Sequence, residues 1–174
     1  MKYSGLSGHS VWITGGTCGI GYAVANAFLE QEAEVHVTGT KIDGKGPHGS
    51  IYHSCGFTNN ESLENLCGSL KESGINILIN NAGINKIGAF AELSPEDFLR
   101  IQQVNLYSAF WLIQAVLPRM TSKDWGRIVN ITSIFSIVSK KYRAPYSASK
   151  FGLDGMTTSL AAEVAESGVL VNSV

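Results

Sequence analysis

An α/β fold built on a doubly wound parallel sheet is predicted for this chain of 174 residues by three observations. Short β-rich runs alternate with helix-period segments. Most of these runs are apolar almost throughout, as strands buried on both faces of a parallel sheet are. A glycine-rich turn joins the first run to the segment after it, at the edge where open sheets of this kind bind ligands. About six strands with helices on both faces are expected, and the length suits a single domain over residues 1–174.

The elements follow in order. SVWIT (10–14) is the first strand and runs into TGGTCGIG, Thr14 to Gly21, ahead of a helix. EVHVT (34–38) is the second. The crossover after it, GTKIDGKGPHGS, carries Gly39, Gly44, Gly46, Gly49 and Pro47, which cannot hold a helix cheaply, so a loop is expected there. SIYHS (50–54) is the third strand. Thr58 with Glu61 reads as a capping box before NESLENLCGSLKE, and Gly74 stands where that helix should stop. INILI (75–79) leads into NNAG (80–83). Ser94, Pro95, Glu96 and Asp97 open a long helix toward Leu117. RIVNIT (127–132) is the fifth strand and VLVNS (169–173) the sixth; between them a helix runs from about Pro145 to Glu166 and closes near Gly168.

Composition narrows the function class. A net charge of −1 exerts no long-range pull on nucleic acid or anionic membranes. No apolar run approaches the roughly 20 residues of a membrane span. The N-terminal MKYSGLSGHSVWITGG has one basic residue and an apolar stretch too short for a signal peptide. Cys18, Cys55 and Cys67 show no paired or metal-like spacing, and His9, His36, His48 and His53 show no ligand spacing. A soluble cytoplasmic protein without a metal is expected.

Three stretches carry chemistry. In TGGTCGIG, Gly15, Gly19 and Gly21 remove side chains where a backbone would approach a pyrophosphate, and the following helix offers free N–H groups and a positive dipole end. In NNAG, Asn80 and Asn81 can satisfy backbone groups at a strand end, while Ala82 and Gly83 leave room for a flat ligand. In YSASK, Tyr146 and Lys150 stand four apart, a spacing that puts Cβ atoms about 5–6 Å apart on one helix face. A free phenol ionises at about pH 10, too high for a base at neutral pH, and a neighbouring ammonium favours the phenolate. Oxidation of a secondary alcohol needs such a base as hydride leaves. Ser133, at the end of the fifth strand, could hold the substrate oxygen.

Together, TGGTCGIG, NNAG, the asparagine of VNLYSAF, Ser133 and YSASK resemble the classical short-chain dehydrogenase/reductase family in order and near its usual spacing. The resemblance implies a Rossmann-like fold and an NAD(P)-dependent oxidoreductase interconverting a ketone and a secondary alcohol, with a small-molecule carbonyl or alcohol substrate. It implies Tyr146 as acid/base, Lys150 as the cation favouring the phenolate and binding the nicotinamide ribose, Ser133 as substrate-orienting, and Asn105 in a water-mediated proton relay. It also implies that Gly15, Thr17, Gly19, Ile20 and Gly21 hold the pyrophosphate region and that Asn81, Ala82 and Gly83 lie near the adenosine ribose. Members commonly dimerise through the helix containing Trp111 and the one bearing Tyr146, so a homo-oligomer is implied.

NADP is favoured over NAD, because VTGTK offers Thr40 and Lys41 at the end of the second strand where a carboxylate would repel a 2′-phosphate. Asp43 argues weakly the other way and reads better as a turn residue. The family's aspartate beside the adenine is replaced by Gly56. The sequence stops at Val174 where family members continue with a substrate loop and a further strand. An alternative reading is therefore a truncated domain that lacks that final strand and loop, leaves the sixth strand as an exposed edge, and binds cofactor or partners with little turnover. Ile134, Phe135, Ile137 and Val138 either line an apolar pocket or pack in the core. Lys140, Lys141 and Arg143 read as a solvated basic loop rather than the seat of an anionic substrate.

Overall fold

The structure, a computed structural model, describes residues 5–174. Residues 1–4, part of the N-terminal stretch too short for a signal peptide, lie outside the described residues. The described elements are β1 (Ser10–Ile13), α1 (Gly19–Leu29), β2 (Glu34–Gly39), β3 (Ile51–Ser54), α2 (Asn60–Glu72), β4 (Ile77–Asn80), α3 (Pro95–Gln102), α4 (Ser108–Ser122), β5 (Gly126–Asn130), α5 (Ala144–Glu163) and β6 (Val169–Ser173).

All six strands pair in parallel in the order β3-β2-β1-β4-β5-β6. The chain winds outward from β1 through β2 to β3, then returns to the other side of β1 as β4, so the winding direction switches between β1 and β4. A crevice at the carboxyl ends of those two strands is the general ligand position in such sheets. The strands are apolar because both faces are covered. On one face Val24, Phe28 and Leu29 of α1 pack against Val11, Ile13, Val35, Val37, Ile77 and Ile79. On the other, α2, α4 and α5 close over Trp12, Leu78 and Ile128, with Leu63, Leu66 and Leu70 forming the buried stripe of α2. No helix forms between β2 and β3, as the glycines and Pro47 require.

Three sequence expectations are corrected. The cap of α2 is Asn59, whose side chain accepts from the Ser62 N–H at 2.9 Å, and not a Thr58/Glu61 box. An Asn at this position competes as well as Thr for the first free N–H groups. The helix opened by Ser94, which caps through the Asp97 N–H at 3.0 Å, is not uniform: α3 passes into α4 through a π-helical turn at Gln103–Tyr107, and α4 extends beyond Leu117 to Ser122. β4 starts at Ile77, two residues later than read, and ends on Asn80, whose amide crosses to Asn130 at 2.8 Å instead of serving its own strand end.

Trp12, His36 and His53 form an aromatic ladder across β1, β2 and β3. The Trp12 ring lies 5.2 Å from His36 and 4.3 Å from His53, and His36 Nδ1 meets His53 Nε2 at 3.0 Å. Burial lowers the pKa of both imidazoles; Glu34 raises that of His36 in partial opposition, while His36 adds to the depression at His53. A base whose folded-state pKa is depressed leaves the unfolded chain holding more protons as pH falls, so stability declines on acidification below about pH 6.5. Urea midpoints between pH 7.5 and 5.5 should fall for the native chain and fall less for His53→Phe.

Candidate active site

The crevice begins with a latch between the ends of β1 and β4. Thr14, 2% exposed, directs its hydroxyl oxygen to the N–H groups of Asn81 and Ala82, both at 2.9 Å. The Asn81 amide donates back to the carbonyls of Thr14 at 2.9 Å and Gly15 at 3.2 Å. The turn after β1 is thereby held against the NNAG segment. Thr38 at the end of β2 adds a third point, its hydroxyl accepting from the Gly15 N–H at 3.1 Å.

The glycines of the turn do different work. Gly15 sits at φ 64° with the latch against it, and a side chain on Gly21 would collide with the Gly15 carbonyl and the Asn81 amide. Both are small so that the protein can pack on itself. Gly19 sits at φ 56°, and a side chain there would meet nothing within 4 Å. It opens α1 toward the crevice. Cys18 caps that helix without a side-chain hydrogen bond, and the first turn has no acidic residue, so the leading N–H groups and the positive dipole end face outward. These residues fit a pyrophosphate.

The structure brings six of the predicted nucleotide residues into one cleft, without Gly19, Ile20 or Gly21. Gly15, Thr17, Thr40, Asn81, Ala82 and Gly83 line one cleft of about 340 Å³. Lys41 stands in an adjoining cleft of about 490 Å³ that shares Thr17 and Thr40 and adds Asp43, Lys45 and Tyr52. Ile20 is 63% exposed beside Gly19. Among the described residues a larger groove of about 700 Å³ between α2 and α4 contains none of the predicted site residues.

The second half of the site is set by α5 and the π turn. Lys150, 3% exposed, donates to the Ile131 carbonyl at 2.6 Å, with its Nζ 5.7 Å from the centre of the Tyr146 ring. The two side chains share one face of α5, as the four-residue spacing predicts, and the ammonium acts on the phenol ring through space while its hydrogen bond goes to the end of β5. The Phe135 ring meets Tyr146 edge-on at 6.1 Å, and Ser133 anchors that segment by accepting from the Phe135 N–H at 3.2 Å. Asn105 lies in the π turn, 2% exposed. Its Oδ1 accepts from the Ile84 N–H at 2.8 Å, and its Nδ2 donates to the Ile84 carbonyl at 2.9 Å and the Ser149 hydroxyl at 3.0 Å. Ser149 donates in turn to the Tyr146 carbonyl at 2.7 Å. Gly83 joins the two halves: a Cβ placed on it would stand 3.6 Å from Asn105 Oδ1 and 3.8 Å from Lys150 Nζ.

Sequence reasoning missed Thr14, Thr38, Ser149, Lys45 and Arg100, the last of which also lines the cleft that holds Gly15 and Asn81. Thr14 and Thr38 are the polar residues that close the apolar runs SVWIT and EVHVT. Ser149 lies inside the YSASK motif already singled out.

Burial lowers the Lys150 pKa to about 8. Between that value and the ordinary value of about 10.4 the unfolded chain holds the extra proton, so this residue makes stability rise with pH across the window. Unfolding midpoints compared from pH 7.5 to 10 should show that rise in the native chain and not in Lys150→Met. For the latch, Thr14→Val leaves the Asn81 and Ala82 N–H groups without their acceptor and should cost about 1–3 kcal/mol in urea unfolding.

A family model described as short chain dehydrogenase matches residues 9–174. The chain is 33% identical to D-beta-hydroxybutyrate dehydrogenase of Rhizobium meliloti (strain 1021), over 93% of this chain and 68% of that protein. It is 36% identical to 3-oxoacyl-(acyl-carrier-protein) reductase FabG of Vibrio cholerae, over 97% of this chain and 72% of that protein. Among solved structures, 4-hydroxyisoleucine dehydrogenase complexed with NADH superposes with a TM-score of 0.87 at 32% identity, covering 95% of this chain and 73% of that one. A metagenomic short-chain oxidoreductase in complex with NADP superposes with a TM-score of 0.88 at 27% identity, covering 97% of this chain and 80% of that one. With the six-stranded sheet, the glycine turn and these matches in agreement, the chain belongs to the short-chain dehydrogenase family, a family of oxidoreductases.

Proposed function

We propose that residues 1–174 form one dinucleotide-binding domain that interconverts a ketone and a secondary alcohol, with NADP preferred over NAD and Tyr146 as the acid/base group. The observation that carries this reading is the buried Lys150 ammonium facing the Tyr146 ring across from the glycine turn. The nicotinamide, when bound, supplies or accepts the hydride. Tyr146 gives its phenolic proton to the carbonyl oxygen during reduction and takes it back during oxidation. Lys150 holds a positive charge beside that phenol in a poorly solvated place, where a point charge acts more strongly than in water. Ser133 keeps its hydroxyl hydrogen for the substrate oxygen while one of its two lone pairs accepts from the Phe135 N–H.

Asn105 serves as a positioning residue. Both of its amide hydrogens are committed to Ile84 and Ser149, so a proton relay in this region would run through groups other than that amide. The pyrophosphate would lie on Gly15, Thr17, Gly19, Ile20 and Gly21, and the adenosine ribose near Asn81, Ala82 and Gly83. Lys41 and Lys45 with a single carboxylate, Asp43, leave the adjoining cleft one positive charge in excess, which suits a 2′-phosphate. The relatives named for hydroxy and oxo compounds support a small-molecule substrate for this chain too. Exposed Tyr107, Phe110 and Phe151 on the π turn, α4 and α5 support a homo-oligomer through those helices. Three free cysteines suit the reducing cytoplasm. Among the described residues no helix is long and apolar enough to cross a membrane.

Tyr146→Phe should abolish reduction across a ketone panel while leaving NADPH affinity, read by fluorescence, within a few-fold of the native value. Unchanged turnover refutes the acid/base assignment. NADPH binding by the native chain without turnover on any ketone would favour a cofactor-binding domain of little activity.

A further inference from the structure

A separate cavity lies on the edge of the sheet opposite the crevice. His9, Asn76 and Trp125 are the residues that immediately precede β1, β4 and β5, three strands that lie side by side. With Arg119 and Lys123 from the end of α4 they line a cavity of about 310 Å³. β1 is four residues long, so about 13 Å of strand separates this cavity from the glycine turn. None of the residues assigned to the cofactor or the substrate lines it.

The polar side chains of this lining offer donors. Arg119 and Lys123 are its charged residues, and no carboxylate is among them. Neither side chain makes a hydrogen bond or an ion pair among the described residues. The Arg119 guanidinium lies over Gly74, where a Cβ would stand 3.4 Å from Nη2. Asn76 Oδ1 is taken by the Ser10 N–H at 3.2 Å, which leaves the amide nitrogen with both hydrogens free. His9 stacks on the Trp125 indole at 4.3 Å, and its Nδ1 is buried without a partner. The other cation at that indole, Arg127, is committed to the carbonyls of Gly126 and Gly168. A helix C-terminus attracts cations, which accounts for positive charge at the end of α4. It does not account for a guanidinium laid over Gly74 without an acceptor, nor for a buried imidazole nitrogen left unpaired, a group that calls for a partner.

We propose that this cavity binds a phosphoryl group, as inorganic phosphate or as a small phosphate monoester. Arg119 takes two oxygens with its planar fork, and Lys123 adds a point charge. Asn76 Nδ2 and His9 Nδ1, in the tautomer that carries its hydrogen there, donate to the remaining oxygens. Two cations match the charge of a phosphate near neutral pH, about −1.5 to −2, whereas a carboxylate leaves one of them uncompensated. Ile75 and Met120, both buried, give the cavity an apolar floor for the body of an ester. Its volume stands at the lower limit for ligand pockets, which suits a small one.

The experiment follows the indole N–H signals of Trp12, Trp111 and Trp125 in the isotope-labelled whole chain while phosphate is added at pH 7.5 and constant ionic strength. Trp125→Phe assigns the signal that matters. The Trp125 signal should move and saturate while those of Trp12 and Trp111 stay fixed, and acetate in place of phosphate should leave all three unmoved. Arg119→Gln and Lys123→Gln, both at exposed positions and checked by thermal unfolding, should each weaken phosphate binding about tenfold, the scale of one charge-assisted hydrogen bond. Phenyl phosphate binding more tightly than phosphate identifies an ester as the ligand, and equal or weaker binding identifies the free ion. A Trp125 signal that saturates with neither phosphate, that follows acetate as closely, or that responds alike in the native chain and both variants overturns the proposal. Each outcome is read at Trp125 and is independent of cofactor binding in the crevice.

Discussion

Four hydrogen bonds between Thr14, Gly15, Asn81 and Ala82 hold the carboxyl ends of β1 and β4 together, and everything the crevice does depends on them. They lie at the place where the sheet changes its winding direction, so the backbone there has no further strand to pair with. Buried N–H and C=O groups need partners, and the side chains of Thr14 and Asn81 supply them in place of a ladder. The glycine turn is thereby aimed across the sheet edge, and α1 starts with its free N–H groups directed at the crevice. Gly21 closes the arrangement, since any larger residue would push Asn81 out of it.

A second polar frame holds the opposite side. Asn105 ties the segment after NNAG to α5 through Ile84 and Ser149, while Asn80, Asn130 and Thr157 form a buried chain from β4 through β5 to the same helix. Interior polar chains of this kind add little net stability and fix one arrangement among several. The outcome is that Tyr146 and Lys150, on one helix, are placed relative to β4 and β5 by hydrogen bonds on both sides. The π turn at Gln103–Tyr107 is part of this frame, because π turns are frequent at functional positions in otherwise α-helical segments.

Much of this was legible in the residues. The apolar runs located all six strands to within about two residues, and the glycines after β2 foretold a crossover without a helix. Tyr146 and Lys150 followed from helical spacing. The π turn did not, because one inserted residue barely disturbs a 3.6-residue period over a helix as long as this one. The cap of α2 was misplaced because Thr58 and Asn59 are both good cap residues, and only tertiary packing chooses between them. Thr14 and Thr38 were overlooked because a threonine ending a strand has no distinctive spacing; its worth comes from which strand end lies beside it. Arg100 was invisible for the same reason, since α3 and the end of β3 are far apart in sequence and meet only across the folded crevice.

Lys41, Asp43 and Lys45 stand on the loop between β2 and β3, a segment attached to the sheet mainly by its own turns and by the Tyr52 hydroxyl donating to the Lys41 carbonyl, outside both polar frames. The charged loop is thus separable from the rest of the crevice, whereas Tyr146 and Lys150 are built into the frame. A change of charge on this loop therefore leaves untouched the hydrogen bonds that place Tyr146 and Lys150.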